Sequence, residues 1–168
     1  REEELRIRPA AVRKKVFIAG AGPAGIEGAI VAAKRGHDVH LFEKDSQVGG
    51  QFRLAAIPPT KGEIATFVAL RKKQLRDSNV TVHLSTELTE EVVTREKPDV
   101  VVIATGSEPV SLNVQGTANG HTVTAHDVLE GRAVVGRRVA IVGGGMIGSE
   151  TACHLAHHGK KLTIVEML

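Results

Sequence analysis

Lys15-Val16-Phe17-Ile18-Ala19-Gly20-Ala21-Gly22-Pro23-Ala24-Gly25-Ile26-Glu27 carries the clearest structural signal in the chain. A short apolar run enters a glycine turn, and a helical pattern leaves it. Gly20, Gly22 and Gly25 give the spacing G-x-G-x-x-G between a strand and a helix, which is the dinucleotide fingerprint. Gly20 permits the tight turn, Gly22 lets the backbone approach a pyrophosphate, and Gly25 lets the helix pack closely on the strand. The helix opened by Pro23 and Ala24 turns its unpaired N–H groups and the positive end of its dipole toward the phosphates.

Working outward, the strand covers about residues 15–19. The helix runs over about 23–35, with Ile26, Ala29, Ile30 and Ala33 as its apolar stripe and Gly36 as its stop. A second strand over 39–42 ends at Glu43, 23 residues after Gly20. That is close to the roughly 20 expected for the carboxylate that takes the ribose hydroxyls.

Residues 44–60 read as a long loop holding Gly49-Gly50-Gln51 and Pro58-Pro59. Paired glycines allow close backbone approach to a ligand. A helix over 62–77 follows, with Ile64, Phe67, Val68 and Leu75 as its inner face, then a strand over 80–84 and a short helix from Thr89 ended by Pro98. The continuous apolar run 100–104 predicts a parallel strand buried on both faces. It delivers Thr105-Gly106 at the carboxyl end of the sheet, where ligands bind in open α/β folds. Residues 107–136 are mixed, with turns at Gly116 and Gly120 and a helical turn over 126–130.

The opening phrase then returns. Residues 138–142 predict a strand, Gly143-Gly144-Gly145-Met146-Ile147-Gly148 is a second fingerprint, and a helix over 146–158 is capped by Gly159. The next strand, 162–165, ends at Glu166, again 23 residues after the first glycine of its motif. One fingerprint alone is weak; two, each with strand, helix and acid in order, are strong.

The remaining composition excludes other classes. The chain of 168 residues is 42% hydrophobic and 24% charged, with a formal net charge of +3. Its aromatics are four Phe, with no Trp or Tyr to stack single-stranded nucleic acid. The basic cluster Arg71-Lys72-Lys73 with Arg76 reads as a solvated helix face. No apolar run approaches the roughly 18 residues of a membrane span, and the default compartment is the cytoplasm. One cysteine, Cys153, excludes an internal disulfide framework and reads as a small packing residue. His154, His157 and His158 lie at helical spacing without a carboxylate partner, so no metal site is assigned. No Ser/His/Asp triad or paired carboxylates stand in convincing order, so no catalytic residue is assigned and the chemistry is expected to belong to cofactors.

These residues resemble a particular branch of the two-nucleotide flavoprotein reductases. The first fingerprint, the segment Gly49-Gly50-Gln51-Phe52-Arg53-Leu54-Ala55-Ala56, then Pro58-Pro59-Thr60-Lys61-Gly62-Glu63-Ile64, and Lys97-Pro98-Asp99 leading into Val102-Ile103-Ala104-Thr105-Gly106 are similar to the C-terminal half of NADH:flavin oxidoreductases related to 2-enoate reductase and 2,4-dienoyl-CoA reductase. The resemblance covers about residues 12–168.

It implies a doubly wound, Rossmann-like α/β fold that is truncated. Residues 1–11 would be a linker, 12–132 an FAD-binding domain and 133–168 the start of an NAD(P)-binding domain. The cofactors would be FAD and NAD(H), with FMN and a 4Fe–4S centre in an N-terminal barrel of the full-length protein. Electrons would pass from NADH to FAD and on to an activated C=C bond. Gly20, Gly22, Pro23 and Ala24 would hold the FAD pyrophosphate. Glu43 and Lys44 would meet the adenosine ribose, Leu88 the adenine, and Gly50, Gln51 and Lys61 the diphosphate or flavin side. Ala104, Thr105 and Gly106 would close over the middle of the cofactor.

Gly143, Gly145, Met146 and Ile147 would hold the NAD(P)H pyrophosphate, and Glu166 would favour NADH by repelling a 2′-phosphate. Both ends read as cuts through a longer protein, with the barrel missing upstream and the segment that completes the FAD domain missing downstream. The short second domain would then pack on the first, swap between chains or pair with a second copy. The partners are otherwise small-molecule cofactors, with no nucleic acid and no membrane. The same resemblance leaves two alternatives: an ADP-binding module without catalysis, as in trimethylamine dehydrogenase, and the reductase subunit of a glutamate-synthase-like enzyme.

Overall fold

The computed structural model describes residues 6–110, 115–117 and 120–167. Residues 1–5 of the expected linker lie outside the described residues. The elements in chain order are β1 (Lys15–Ala19), α1 (Pro23–Lys34), β2 (Asp38–Phe42), α2 (Gln51–Ala55), α3 (Gly62–Arg76), β3 (Val80–His83), α4 (Glu90–Glu96), β4 (Val100–Ile103), α5 (Ala125–Leu129), β5 (Arg138–Val142), α6 (Met146–His157) and β6 (Lys161–Val165). They form two compact units, Arg1–Arg53 with Ala65–Gly106, and Leu54–Ile64 with Ser107–Leu168. The α/β class and the parallel pairing are as the sequence predicts.

In the first unit four parallel strands lie in the order β3-β2-β1-β4. The chain steps outward from β1 through β2 to β3, then returns to the other side of β1. Strand order therefore reverses between β1 and β4, which makes their carboxyl ends the topological switch point where ligands bind in such sheets. One face packs under α1: Val16, Ile18, Val39 and Leu41 meet Ile26, Ala29 and Ile30 in a buried core that also takes Val48 and Leu75. Pro23 occupies the first turn of α1, where its missing N–H has no partner to lose, and Gly36 ends the helix with φ +92°.

The opposite face carries an aromatic row. Phe17 lies 4.9 Å from Phe42, Phe42 4.5 Å from His83, and His83 5.3 Å from His40, ring centre to ring centre. The return connection must cross this face to stay right-handed. The connection contains α4, capped by the Thr89 side chain and ended at Lys97 with φ +46°. Lys15 Nζ reaches Glu96 Oε2 at 3.2 Å and lies 5.1 Å from the Phe17 ring centre.

Three expectations change. The run 100–104 forms a parallel strand, but β4 is the edge of the sheet among the described residues, and Ile103 is 79% exposed. Its apolar sequence records what the strand can pack against, not what covers it here. On α3 the inner face is Val68 and Leu75; Phe67 turns outward between Phe52, at 5.7 Å, and the Arg71 guanidinium, at 5.5 Å. The long loop also contains a short helix, α2, directly after its glycine pair.

In the second unit β5 and β6 pair in parallel, with α6 packed on both and α5 packed on α6. Thr124 and Asp127 form a capping box at the start of α5. Thr151, Ala152 and Leu155 are the buried residues of α6. Cys153 falls off that face and is exposed, which corrects its reading as a packing residue. Among the described residues no helix is long and apolar enough to cross a membrane.

Candidate nucleotide-binding sites

The first site is built where β1 and β4 end. Gly20 takes φ +95°, and a Cβ placed on it would stand 2.5 Å from the Ala104 carbonyl oxygen. A Cβ on Gly25 would stand 1.8 Å from the Gly20 carbonyl oxygen. Neither position has room for a side chain, so both glycines are required by packing, independently of any ligand. The Gly49-Gly50 pair closes on the same turn. Gly49 N–H donates to the Ala21 carbonyl at 2.8 Å, and a Cβ on Gly50 would stand 2.9 Å from Gly22 Cα. Gly49 and Gly50 both have positive φ, +121° and +50°.

Gly22 is different. A Cβ built there meets no atom within 4 Å, and its φ of −72° suits any residue. The protein has left open space at the head of α1, between backbone segments that otherwise touch. That is the cradle a pyrophosphate requires, so the residues present fit a dinucleotide.

Around this turn the structure brings Gly50, Gln51, Ala104, Thr105 and Gly106 together. Gln51 is the first residue of α2, and its Nε2 lies 3.9 Å from the Cβ position of Gly106. Glu43, at the end of β2, is 7% exposed. It is held by its backbone between His83 and Thr86, at 2.9 and 2.8 Å. Lys44 follows it, exposed, and Leu88 is half-buried in the connection from β3 to α4.

The second site repeats the first in outline. Gly143 takes φ +100°, and a Cβ on Gly148 would stand 1.9 Å from the Gly143 carbonyl oxygen. Gly145 precedes α6 with φ −65° and, like Gly22, has open space where a Cβ would stand. Met146 and Ile147 begin α6 and are 77% and 60% exposed. Glu166 ends β6 and accepts from the Gly144 N–H.

Lys61 belongs to this second unit, with its Nζ 2.6 Å from Glu150 Oε1 on α6. Sequence reasoning missed Glu150 and Ser149, whose Oγ donates to the Gly144 carbonyl at 2.8 Å. Position was the available signal for Ser149, which directly follows Gly148; nothing local in the sequence pointed to Glu150. In the histidine trio, a His158 ring nitrogen lies 2.8 Å from the His154 carbonyl, and burial followed by His158 and His157 holds the His154 pKa below its ordinary value.

Comparison with known proteins decides the family. The family model described as pyridine nucleotide-disulphide oxidoreductase matches residues 14–168. The chain belongs to that family. It is 42% identical over 166 residues to an NADH oxidase of Thermoanaerobacter brockii, covering 96% of this chain and 26% of that protein. It is 40% identical over 167 residues to a cinnamate reductase of Clostridium sporogenes, covering 99% of this chain and 25% of that protein. Among solved structures, a 2-naphthoyl-CoA reductase complex superposes with a TM-score of 0.91 at 38% identity, over 95% of this chain and 24% of that one.

The chain therefore spans about a quarter of the length of these relatives. Within the family it is consistent with part of the FAD/NAD-binding half of enoate- and dienoyl-reductase-like oxidoreductases, as its sequence motifs indicate.

Proposed function

We propose that the chain is the two-nucleotide module of a flavin-dependent oxidoreductase that carries reducing equivalents from NADH toward an activated C=C bond. The observation that carries this reading is the open space before Gly22, at the switch point of the sheet where the Gly20 turn packs against Ala104 and Gly50 approaches the Gly22 backbone. A second fingerprint with the same open position at Gly145 supplies a place for the electron donor. Relatives named as an NADH oxidase and a cinnamate reductase support both the donor and the acceptor class.

In this reading residues 12–132 form the FAD lobe and 133–168 begin the NAD(H) lobe. Bound FAD would accept a hydride equivalent from the nicotinamide and release the electrons onward; in the full-length protein the acceptors would be a 4Fe–4S centre and FMN in an N-terminal barrel. The residues of this chain do the holding. Gly22 and Ala24 present backbone N–H groups and the α1 dipole to the diphosphate, on a turn shaped by Gly20 and Pro23. Glu43, Lys44 and Leu88 border its adenosine end. Gly50, Gln51 and the Ala104–Gly106 segment shield the middle of the cofactor from water. Gly143, Gly145, Met146 and Ile147 do the same for the nicotinamide nucleotide, and the negative charge of Glu166 disfavours a 2′-phosphate there.

The test is the nucleotide content of the purified full-length protein, followed by reconstitution. FAD is expected to be released on denaturation and taken up again on refolding or titration. Uptake of ADP without FAD would contradict the electron-transfer reading.

A further inference from the structure

Glu43 does not wait for a ribose with a vacant carboxylate. Its Oε2 accepts from the Ala21 N–H at 2.8 Å, and its Oε1 accepts from the Asp45 N–H at 3.0 Å. Ala21 is fully buried, and Glu43 nearly so. Ala21 is the middle residue of the first Gly-x-Gly turn. Its carbonyl is engaged as well, by the Gly49 N–H at 2.8 Å. The residue at the centre of the turn is therefore held on both sides, by the end of β2 and by the glycine pair.

The second unit repeats the arrangement with different chemistry. Gly144 is the middle residue of its turn. Its N–H donates to Glu166 Oε2, and its carbonyl accepts from Ser149 Oγ at 2.8 Å. The other Glu166 oxygen accepts from the Met167 N–H at 2.8 Å, as Glu43 does from Asp45. In both units the first glycine is also tied to the end of the following strand, Gly20 to the Phe42 carbonyl and Gly143 to the Val165 carbonyl, each at 2.8 Å. Two turns far apart in sequence thus share one device: a strand-end carboxylate on the N–H of the middle residue and a separate donor on its carbonyl.

We infer that Glu43 and Glu166 are positioning residues, which set the geometry of the phosphate-binding turns before any nucleotide arrives. The chemistry favours a carboxylate over a neutral isostere. Two backbone N–H donors converge on each Glu, and an ionised carboxylate accepts both. Glutamine offers one oxygen and one NH2 group, so one N–H must face another donor. At Glu43 the loss leaves one of the two donors, the Ala21 N–H or the Asp45 N–H, unpaired. The inference extends the proposed function, since it takes the first turn to hold a dinucleotide diphosphate. It predicts that the carboxylate matters even for a ligand with no ribose hydroxyls to offer.

The experiment has two readouts. In the first, amide hydrogen exchange is measured without nucleotide in the full-length protein, wild type, E43Q and E166Q. In E43Q the Ala21 or the Asp45 amide, whichever loses its acceptor, is expected to exchange about tenfold faster, and in E166Q the Gly144 or the Met167 amide, while the amides of β1 and β2 keep their protection. Unchanged exchange at all four amides would overturn the inference. Because Glu166 is exposed, E166Q keeps this readout decisive if E43Q does not fold.

In the second, the flavin-stripped protein is titrated with FAD and with the analogue whose adenosine is 2′,3′-dideoxy, read by flavin fluorescence. E43Q is expected to weaken both by the same factor, about tenfold. A loss for FAD that vanishes with the dideoxy analogue would assign Glu43 to the ribose and overturn the positioning role. If the wild-type protein binds neither flavin, the FAD reading fails by itself, and the exchange measurement still decides the role of the two carboxylates.

Discussion

Gly22 and Gly25 stand three residues apart and answer to different demands. A methyl at Gly25 would lie 1.8 Å from the Gly20 carbonyl oxygen, so Gly25→Ala must push α1 away from the turn. The expected cost is about 3 kcal/mol of stability, the range of a core overpacking, read as a shift of the urea midpoint. Gly22→Ala meets nothing within 4 Å. It should leave stability within about 0.5 kcal/mol of wild type yet weaken dinucleotide binding by about tenfold, because the methyl enters the space kept for the diphosphate. Gly28→Ala is the control within the same helix. Its nearest neighbour would be Ile18 Cδ1 at 3.9 Å, so it should fold at least as well as wild type. At this scale the sequence was informative, because a glycine spacing encodes steric demands that only one residue type meets. What it could not reveal is that the Glu43 carboxylate is spent on Ala21: spacing places an acid at a strand end without saying which donors it finds.

Among the elements, β2 and β3 carry a titratable pair. His40 Nδ1 and His83 Nε2 lie 3.0 Å apart with their rings stacked, and Asp38 Oδ1 is 3.8 Å from the other His40 nitrogen. Burial, and then His40, hold the His83 pKa below its ordinary 6.5. The unfolded chain therefore binds a proton more readily there than the folded one. This contribution to stability is fully present above about pH 6.5 and is lost as pH falls through the folded-state value. Urea midpoints measured across that window should fall with acid, and His40→Phe should make the fall shallower without abolishing it, since burial is the larger cause.

The Lys61–Glu150 pair acts at the same scale, joining the 54–64 segment to α6. Both side chains are partly exposed, so the pair contributes less than about 1 kcal/mol. Glu150→Gln should speed amide exchange at Ile57 and Ile64, whose N–H groups bond within that segment, and leave β1 and β2 unchanged. The pair was invisible beforehand because its members are 89 residues apart in sequence. The strands and long helices were legible from periodicity and glycine stops. The five-residue α2 was not, since it is too short to show a period. The exposure of β4 was illegible for another reason: neighbours across a sheet are set by topology, which local sequence does not encode.

For the whole molecule, the proposed function divides the labour between two fingerprints, FAD at the Gly20 turn and NADH at the Gly143 turn. The two units rest on separate sheets, β3-β2-β1-β4 and β5-β6, so damage to one fingerprint should leave the other occupied. Gly148→Ala would place a methyl 1.9 Å from the Gly143 carbonyl oxygen. The variant should retain FAD while its reduction by NADH slows at least about tenfold.

The most direct measurement is anaerobic rapid mixing of the FAD-loaded full-length protein with NADH, followed in the visible flavin band, with Gly148→Ala beside the wild type. NADH should bleach the wild-type flavin, and the variant, with its flavin still bound, should bleach slowly or not at all. A wild-type flavin that NADH leaves oxidised, or a variant that bleaches at the wild-type rate, would contradict the proposed function.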